Sequence, residues 1–376
     1  MKTTNTTPTD TPNTQNLFLG IELSKSKWVL CFQDGSNLRE RSIQAGDCAK
    51  LKEEIELCRQ KFKLSASTTV HSCYEAGRDG FWLHRHLVEK GIQNRVFDSS
   101  SIEVDRRQKR RKTDRIDARK LAGLLVRMVL HGEKKVCSVV RVPSPAQEAA
   151  MRPDRERARM IGERTGHINR IRALLTLHGT AFKSWRRLKV EELTDWRGLP
   201  LPQELSREIE RELKRLRCVD DQIKELEAEK KERLKAAEDS GALRAAKLQR
   251  LHGVGPQSSW TLSHEFFWRE FRNRKEVGAC AGLTGSPYDS GQSRRDQGIS
   301  KAGSPRVRAV CVELGWCWLR FQPESELSLW FKKRFASGNA RMRRVGIVAL
   351  ARKLLVALWK YLEKDEAPAG AILAAA

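Results

Sequence analysis

The spacing of apolar residues changes period along the chain, and each change marks an expected element. From Asn16, LFLGIELSKSKWVLCFQDG begins apolar, then alternates through Trp28, Leu30 and Phe32 before the turn dipeptide Asp34-Gly35. Period-two alternation closed by such a dipeptide predicts two antiparallel strands. CAKLKEEIELCRQKF shifts to amphipathic helical spacing, and TTVHSCYEAGRDG reads as a strand running into a loop. GFWLHRHLVEKG is a helix stopped by Gly91, and IQNRVFDSS is a further short strand. The next helix opens in the basic segment RRQKRRKTDRIDAR, Arg106 to Arg119, and continues through LAGLLVRMVLHG to Gly132. Hairpin, helix, strand, helix, strand, helix is an α/β order.

After a Pro/Ser linker, VPSPAQ at 142–147, the spacing is helical. One helix carries Ile161, Ile168, Ile171, Leu174 and Leu175, with Pro153 expected to kink its beginning. Beyond a GLPLP loop, Ile209, Leu213, Leu216, Ile223 and Leu226 are spaced by threes, fours and a seven. That spacing suits a helical hairpin or a short coiled coil able to pair protomers. A single solvated helix competes with it, because Asp220 falls on the seam. From Leu248, RLHGVGPQSSWTLSHEF sets two glycines ahead of a helix, either a backbone approach to phosphate or an ordinary tight turn. A Gly/Ser-rich basic stretch follows, and apolar helices then run to Leu362. The expected organisation is a disordered leader at 1–15, an α/β domain at 16–141, a helical, coiled-coil-like region at 142–247, a mainly helical domain at 248–362 and a flexible tail at 363–376.

Charge narrows the partners. The 376 residues carry 72 Lys plus Arg against 47 Asp plus Glu, a net charge of +25, which favours nucleic acid over a small acidic metabolite. Hydrophobic content of 39% is enough for real cores. The nine cysteines form no CxxC pair and do not cluster with the eight histidines, so neither zinc nor a disulfide framework is indicated. Scattered thiols fit buried positions in a reducing compartment. The polar start MKTTNTTPTDTPNTQN lacks the apolar stretch of a signal peptide, and the most apolar run, VGIVALARKLLVALW, carries Arg352 and Lys353. A cytoplasmic, DNA-associated protein with no membrane partner is expected.

Four carboxylates fall where an α/β domain concentrates function: Glu22 on the first strand, Glu75 after a later strand, and Asp114 and Asp117 on the last helix. Asp114 and Asp117, three apart, share a helix face, and like charges so placed call for a cation between them or a basic neighbour. Phosphoryl transfer with Mg²⁺ needs three or four hard oxygen ligands converging from separate elements. The plainer readings are a solvated, salt-bridged helix end for the aspartates and a surface pairing with Lys25 or Lys27 for Glu22. Gly77 and Gly80 keep Glu75 at the sheet's edge, whereas Asp98 and Asp105 read as loop or capping groups. Lys112, Arg115 and Arg119 around the aspartates suit backbone phosphates, as do Arg164, Arg170 and Arg172 on the central helix. Ser290, in SPYDSGQSRR, reads from its own residues as a turn serine. Ser286 precedes a proline and shapes the turn, and Tyr288 lacks the Arg/His/Arg set of a tyrosine recombinase.

The motifs GIELSKSKW, YEAGRDG and RRKTDRIDARKLA, in that order, resemble those of the IS110-type transposases, whose members include bridge-RNA-guided recombinases. RERARMIGERTGHINRIRALL resembles that family's arginine-rich helix, and LHGVGP, AGLTGSPYDSG and GISKAGSPRVRAV resemble its C-terminal transposase domain. The resemblance covers residues 17 to 362. It implies a RuvC-like domain of the ribonuclease H fold whose acidic tetrad, here Glu22, Glu75, Asp114 and Asp117, binds Mg²⁺. It implies Ser290 as a nucleophile, a structured guide RNA, donor and target DNA, and a dimer or tetramer in a bacterial-type cell; beside that serine, Arg294, Arg295 and Lys301 are placed to neutralise phosphoryl oxygens. The family's first tetrad position is usually aspartate, and here it is Glu22. A resolvase-like metal nuclease and a catalytically decayed nucleic-acid binder are the competing functions.

Overall fold

The computed structural model describes residues 16–102, 113–133, 136–237, 239–290 and 293–374, with 288–290 and 293–296 described by backbone alone. The expected leader therefore lies outside the described residues. The chain divides between Val142 and Pro143 into two compact units.

In the first unit, β1 (Asn16–Leu23), β2 (Lys27–Gln33) and β3 (Leu38–Gln44) form an antiparallel meander. β4 (Thr69–Glu75) pairs parallel with the other side of β1, and β5 (Gln93–Phe97) pairs parallel with β4, giving the order β3-β2-β1-β4-β5. Parallel neighbours need crossovers, supplied by α1 (Cys48–Lys61) and α2 (Trp82–Glu89). Leu17, Leu19 and Ile21 share a core with Leu51 and Ile55 of α1 and with Leu83 and Leu87 of α2. Phe18 and Cys73 turn the other way, onto Leu121, Leu124 and Leu125 of α3 (Asp114–Val129). With both faces covered, β1 reads as an unbroken apolar run rather than an alternating one. This is the expected ribonuclease H-like arrangement. The strand that sequence spacing missed is β3, LRERSIQ, where only Ile43 is buried. Apart from the exposed Leu38, its remaining side chains carry the charge and polarity of a sheet edge.

In the second unit, α4 (Pro145–Thr176) and α5 (Gln203–Ala236) lie antiparallel, tied by Arg157–Glu227, Arg164–Asp220 and Arg170–Glu212. The boundary between the units falls within the expected Pro/Ser linker, whose residues from Pro145 onward form the first turn of α4. The Ser144 hydroxyl accepts from the Gln147 amide, and the Gln147 side chain accepts from the Ser144 amide, a capping box. The helix continues through Pro153. Ile209, Leu213 and Leu216 pack with Ile171 and Leu175 in one cluster, so this stretch of the seam is filled within the chain. Asp220, 2% exposed, accepts from Arg164 and Arg186. Burial alone raises its carboxyl pKa, but these guanidinium groups outweigh burial and hold it below the usual value.

The C-terminal part comprises α6 (Ser240–Gln249), α7 (Pro256–Glu265), α8 (Arg274–Cys280), a hairpin of β6 (Gly285–Ser290) and β7 (Ser293–Ile299), then α9 (Pro305–Phe321), α10 (Glu326–Phe335) and α11 (Ala340–Lys364). Leu262, Phe266, Leu314, Trp318, Leu354 and Leu358 fill its core. Asp154 of α4, 1% exposed, accepts from Lys230 of α5, Gln257 and Thr261 of α7 and Arg306 of α9, joining four helices through one carboxylate. The tail expected to be flexible is tied down as far as Ala374. His252 N donates to Ile372 O at 3.1 Å, Ile372 N donates to Gln322 Oε1 at 2.7 Å, and Ala374 N donates to Arg250 O at 2.6 Å. No helix among the described residues is long and apolar enough to cross a membrane.

Candidate active site

The placement of the acidic residues follows from strand parity. A Cβ on Gly20 would collide with the Ala118 carbonyl and the Ala122 amide, so α3 lies against the bare backbone of β1. Phe18 meets α3 further along, at Leu121, Leu124 and Leu125, so α3 runs antiparallel to β1. Its first turn, with Asp114 and Asp117, therefore lies at the C-terminal end of β1. Glu22 is two residues beyond Gly20 and projects from the same face. The parallel pairing Ile21↔Tyr74 makes Glu75 the next step on the neighbouring strand. Two residues before it, Cys73 Sγ donates to Leu121 O of α3 at 3.3 Å, so Glu75 also belongs to the α3 face. Glu22 and Glu75 thus rise from one end of one sheet face, and the first turn of α3 brings Asp114 and Asp117 to the same end.

Their side chains are not gathered to metal-ligand spacing. Among the described residues no three His, Cys, Asp or Glu side chains form a group able to hold a metal ion. Asp114 instead pairs with Lys27 at 3.6 Å, so Lys27, a plain surface partner offered for Glu22, sits on the aspartate. Glu75 is exposed, and Glu22, Asp114 and Asp117 are half-buried. Carboxylate oxygens are the hard donors Mg²⁺ takes, so these residues fit the ion in chemistry though not in side-chain spacing. The plainer reading of the aspartates also has a physical basis, because acids in a helix's first turn are favoured by its dipole. Thr113, capping Ile116 N, completes that end. Neither effect accounts for Glu75 at a strand's end. Asp98 has the capping role expected, accepting from Ser100 N at 2.9 Å, while Asp105 lies outside the described residues.

The basic residues divide by what holds them. Lys112 lies outside the described residues, Arg115 is exposed, and Arg119 donates through Nε and Nη2 to Glu40 of β3 at 3.0 and 2.9 Å. Arg164 is held by Asp220, Arg170 by Glu212 at 2.6 Å, and Arg172 lies over the Phe182 ring. Arg164 and Arg170 thus tie α4 to α5, and Arg172 holds Phe182 of the connecting segment, roles invisible in the spacing of one helix.

Ser290 stands at the end of β6, paired with Ser293. Its side chain and those of Arg294 and Arg295 lie outside the described residues. The base of this hairpin is a close backbone clasp: a Cβ on Gly282 would strike Ala302, and one on Gly303 would strike the Cys280 carbonyl. Lys301 N donates to Gly282 O at 3.1 Å, and Ser300 N donates to Thr284 O at 2.8 Å. AGLTG and SKAG are thus the two halves of one structural device. The GVG turn packs Gly253 against Phe321, the arrangement of a tight packing turn.

The sequence profile described as Transposase IS116/IS110/IS902 family matches residues 245–328, from α6 into α10 and across the clasp and hairpin. The protein y4rJ of Sinorhizobium fredii, named as a transposase, is 39% identical over 95% of this chain and 94% of its own length. The chain belongs to the IS116/IS110/IS902 transposase family. A similar protein named as the transposase for insertion sequence element IS1111A of Coxiella burnetii is 24% identical over 93% of this chain and 90% of its own. A family 20 transposase of Pseudomonas aeruginosa is 27% identical over 60% of this chain and 67% of its own. Membership makes the protein a DNA-recombining enzyme of a mobile element, and the long match to y4rJ takes in the α/β unit as well as the hairpin.

Proposed function

We propose that this IS110-family transposase cuts and rejoins DNA with two sets of groups, the acidic residues Glu22, Glu75, Asp114 and Asp117 and the nucleophile Ser290. The observation that supports this reading is the convergence of two strand ends and the first turn of α3 at one end of the sheet, through the Gly20–Ala118 approach and the Ile21↔Tyr74 pairing. Those four residues would hold Mg²⁺, which would there polarise a scissile phosphate and offset charge building on its oxygens. Ser290 Oγ attacks phosphorus and loses its proton as one P–O bond of the phosphodiester breaks. The departing deoxyribose oxygen takes up a proton. A hydroxyl of the exchanged strand then attacks the phosphoserine, restoring the serine and sealing a new phosphodiester. One phosphodiester is broken and one formed, so no ATP is needed. Arg294, Arg295 and Lys301 steady the phosphoryl oxygens. Lys112, Arg115 and Arg119 grip the DNA backbone, with Arg164, Arg170 and Arg172 offering charge along α4. Acidic set and serine meet across protomers of a dimer or tetramer, and a structured guide RNA selects the sites by base pairing.

The test is strand joining with donor DNA, target DNA, RNA transcribed from the element's flanks, and Mg²⁺. Glu75→Gln and Asp117→Asn are each expected to lower joining by at least about a hundredfold, the scale of losing a preorganised catalytic charge. Joining at wild-type rates in both would remove the acidic set from the mechanism. Glu22 favours a second reading, a decayed enzyme that only binds. That reading requires an inactive wild type and activity regained in Glu22→Asp.

A further inference from the structure

The largest cavity among those described, about 1000 Å³, shares only Lys301 with the groups proposed for catalysis. It is a groove within the second unit, walled by α11, α10 and the base of the β6–β7 hairpin. Its floor is apolar, with Leu283, Ile299, Trp330, Val348 and Val356. Its sides carry Arg274, Lys275, Lys301, Arg341, Arg344 and Arg352 together with Lys353 and Lys360, and no carboxylate is among its lining residues. The α11 wall has one design. Arg341, Val345, Val348, Arg352, Val356 and Lys360 recur at threes and fours, so one helix face bears cations and apolar groups in turn. Over those residues the face is about 28 Å long at helical rise. Lys353 Nζ lies 4.6 Å from the centre of the Trp330 ring, a cation already stacked on the aromatic.

Eight cations around an apolar floor identify the occupant. A duplex shows phosphates outward and hides the faces of its bases, so it would leave the floor uncovered. An unpaired strand offers both, phosphates for the sides and base faces for the floor and Trp330. We infer that this groove binds an unpaired DNA strand leading to the β6–β7 hairpin. Ser290 lies five residues along β6 from the groove residue Gly285, about 17 Å at strand rise. A strand freed during exchange would thereby be held near the serine whose phosphoester its end is proposed to attack. The inference rests on the protein acting on DNA, as its family does, but not on the acidic set or on the serine chemistry.

Binding of the full-length protein to a single-stranded DNA of about 16 nucleotides, measured in EDTA, tests the groove without any catalysis. Arg341→Gln/Arg344→Gln, both exposed on α11, is expected to weaken binding at least about tenfold and to lower the slope of log K against log salt by about 1.4, or about 0.7 for each phosphate no longer neutralised. Arg211→Gln/Lys214→Gln on α5 removes equal charge from another exposed surface and should change binding less than about twofold. DNA carrying 5-iodouracil should photocrosslink to peptides within 326–360. Equal losses in the two double variants, crosslinks only elsewhere, or tighter groove-dependent binding of the matching duplex or RNA would each overturn the inference. Loss of strand joining with groove binding intact would count against the catalytic reading alone.

Discussion

Replacing Gly20 by alanine puts a methyl group where the backbone of α3 already stands. Because that backbone belongs to Ala118 and Ala122, no side chain can swing aside. Gly20→Ala should destabilise the first unit by about 1–3 kcal/mol, the range for overpacking, and impair joining by moving Asp114 and Asp117 away from Glu22. Thermal unfolding and the joining assay on the same preparation check both. Unchanged stability would contradict the close approach. His84 supplies a pH dependence. Asn94 Nδ2 donates to its Nδ1 at 2.9 Å, and burial, then Arg85, lowers its pKa from 6.5. The unfolded chain therefore takes the proton first, so this stabilisation is full above 6.5 and is lost as pH falls below it. Unfolding temperatures between about pH 7.5 and about pH 5.5 should fall more steeply for the wild type than for His84→Gln. Parallel curves would remove His84 from the account.

At the scale of elements, α4, α5, α7 and α9 meet on Asp154. Burial raises the Asp154 carboxyl, but Lys230, Gln257, Arg306 and Thr261 outweigh it, so its pKa lies below the usual 3.8. Its stabilisation is present above that value and lost only as pH falls beneath it. Asp154→Asn leaves Lys230 and Arg306 without their charge partner and should cost about 3–5 kcal/mol at neutral pH, read from denaturant unfolding. A loss below about 1 kcal/mol would mean the network contributes no more than a surface pair. The same residues show what spacing can reveal. Helix α4 was legible from Ile168, Ile171 and Leu175, but not that Arg164 would neutralise the seam residue Asp220, because that pairing joins distant residues. β3 was missed because an edge strand with one buried side chain does not alternate. The tail's order comes from Gln322 and Arg250, and nothing in an Ala/Gly/Pro-rich stretch announces a distant partner. The acidic face was the most legible part of the candidate site, since strand parity and helix spacing are both local. The groove was hidden, because α11 and the hairpin base are far apart in sequence.

For the whole molecule, a net charge of +25 makes affinity for DNA salt-dependent but says nothing of chemistry. The logarithm of the affinity should fall linearly with log salt for specific and unrelated DNA alike, while the joining of correct sites should require the guide RNA. Joining without RNA would contradict the proposed division between a backbone-gripping protein and a sequence-reading guide. If the acidic residues and the serine together make one strand-exchanging enzyme, the reaction trapped midway should hold a DNA–protein adduct that mass spectrometry can map. A protease-sensitive adduct on Ser290 is expected, absent in Ser290→Ala and depleted in Asp114→Asn. Undiminished cleavage by Ser290→Ala, or an adduct on any other residue, would contradict that expectation.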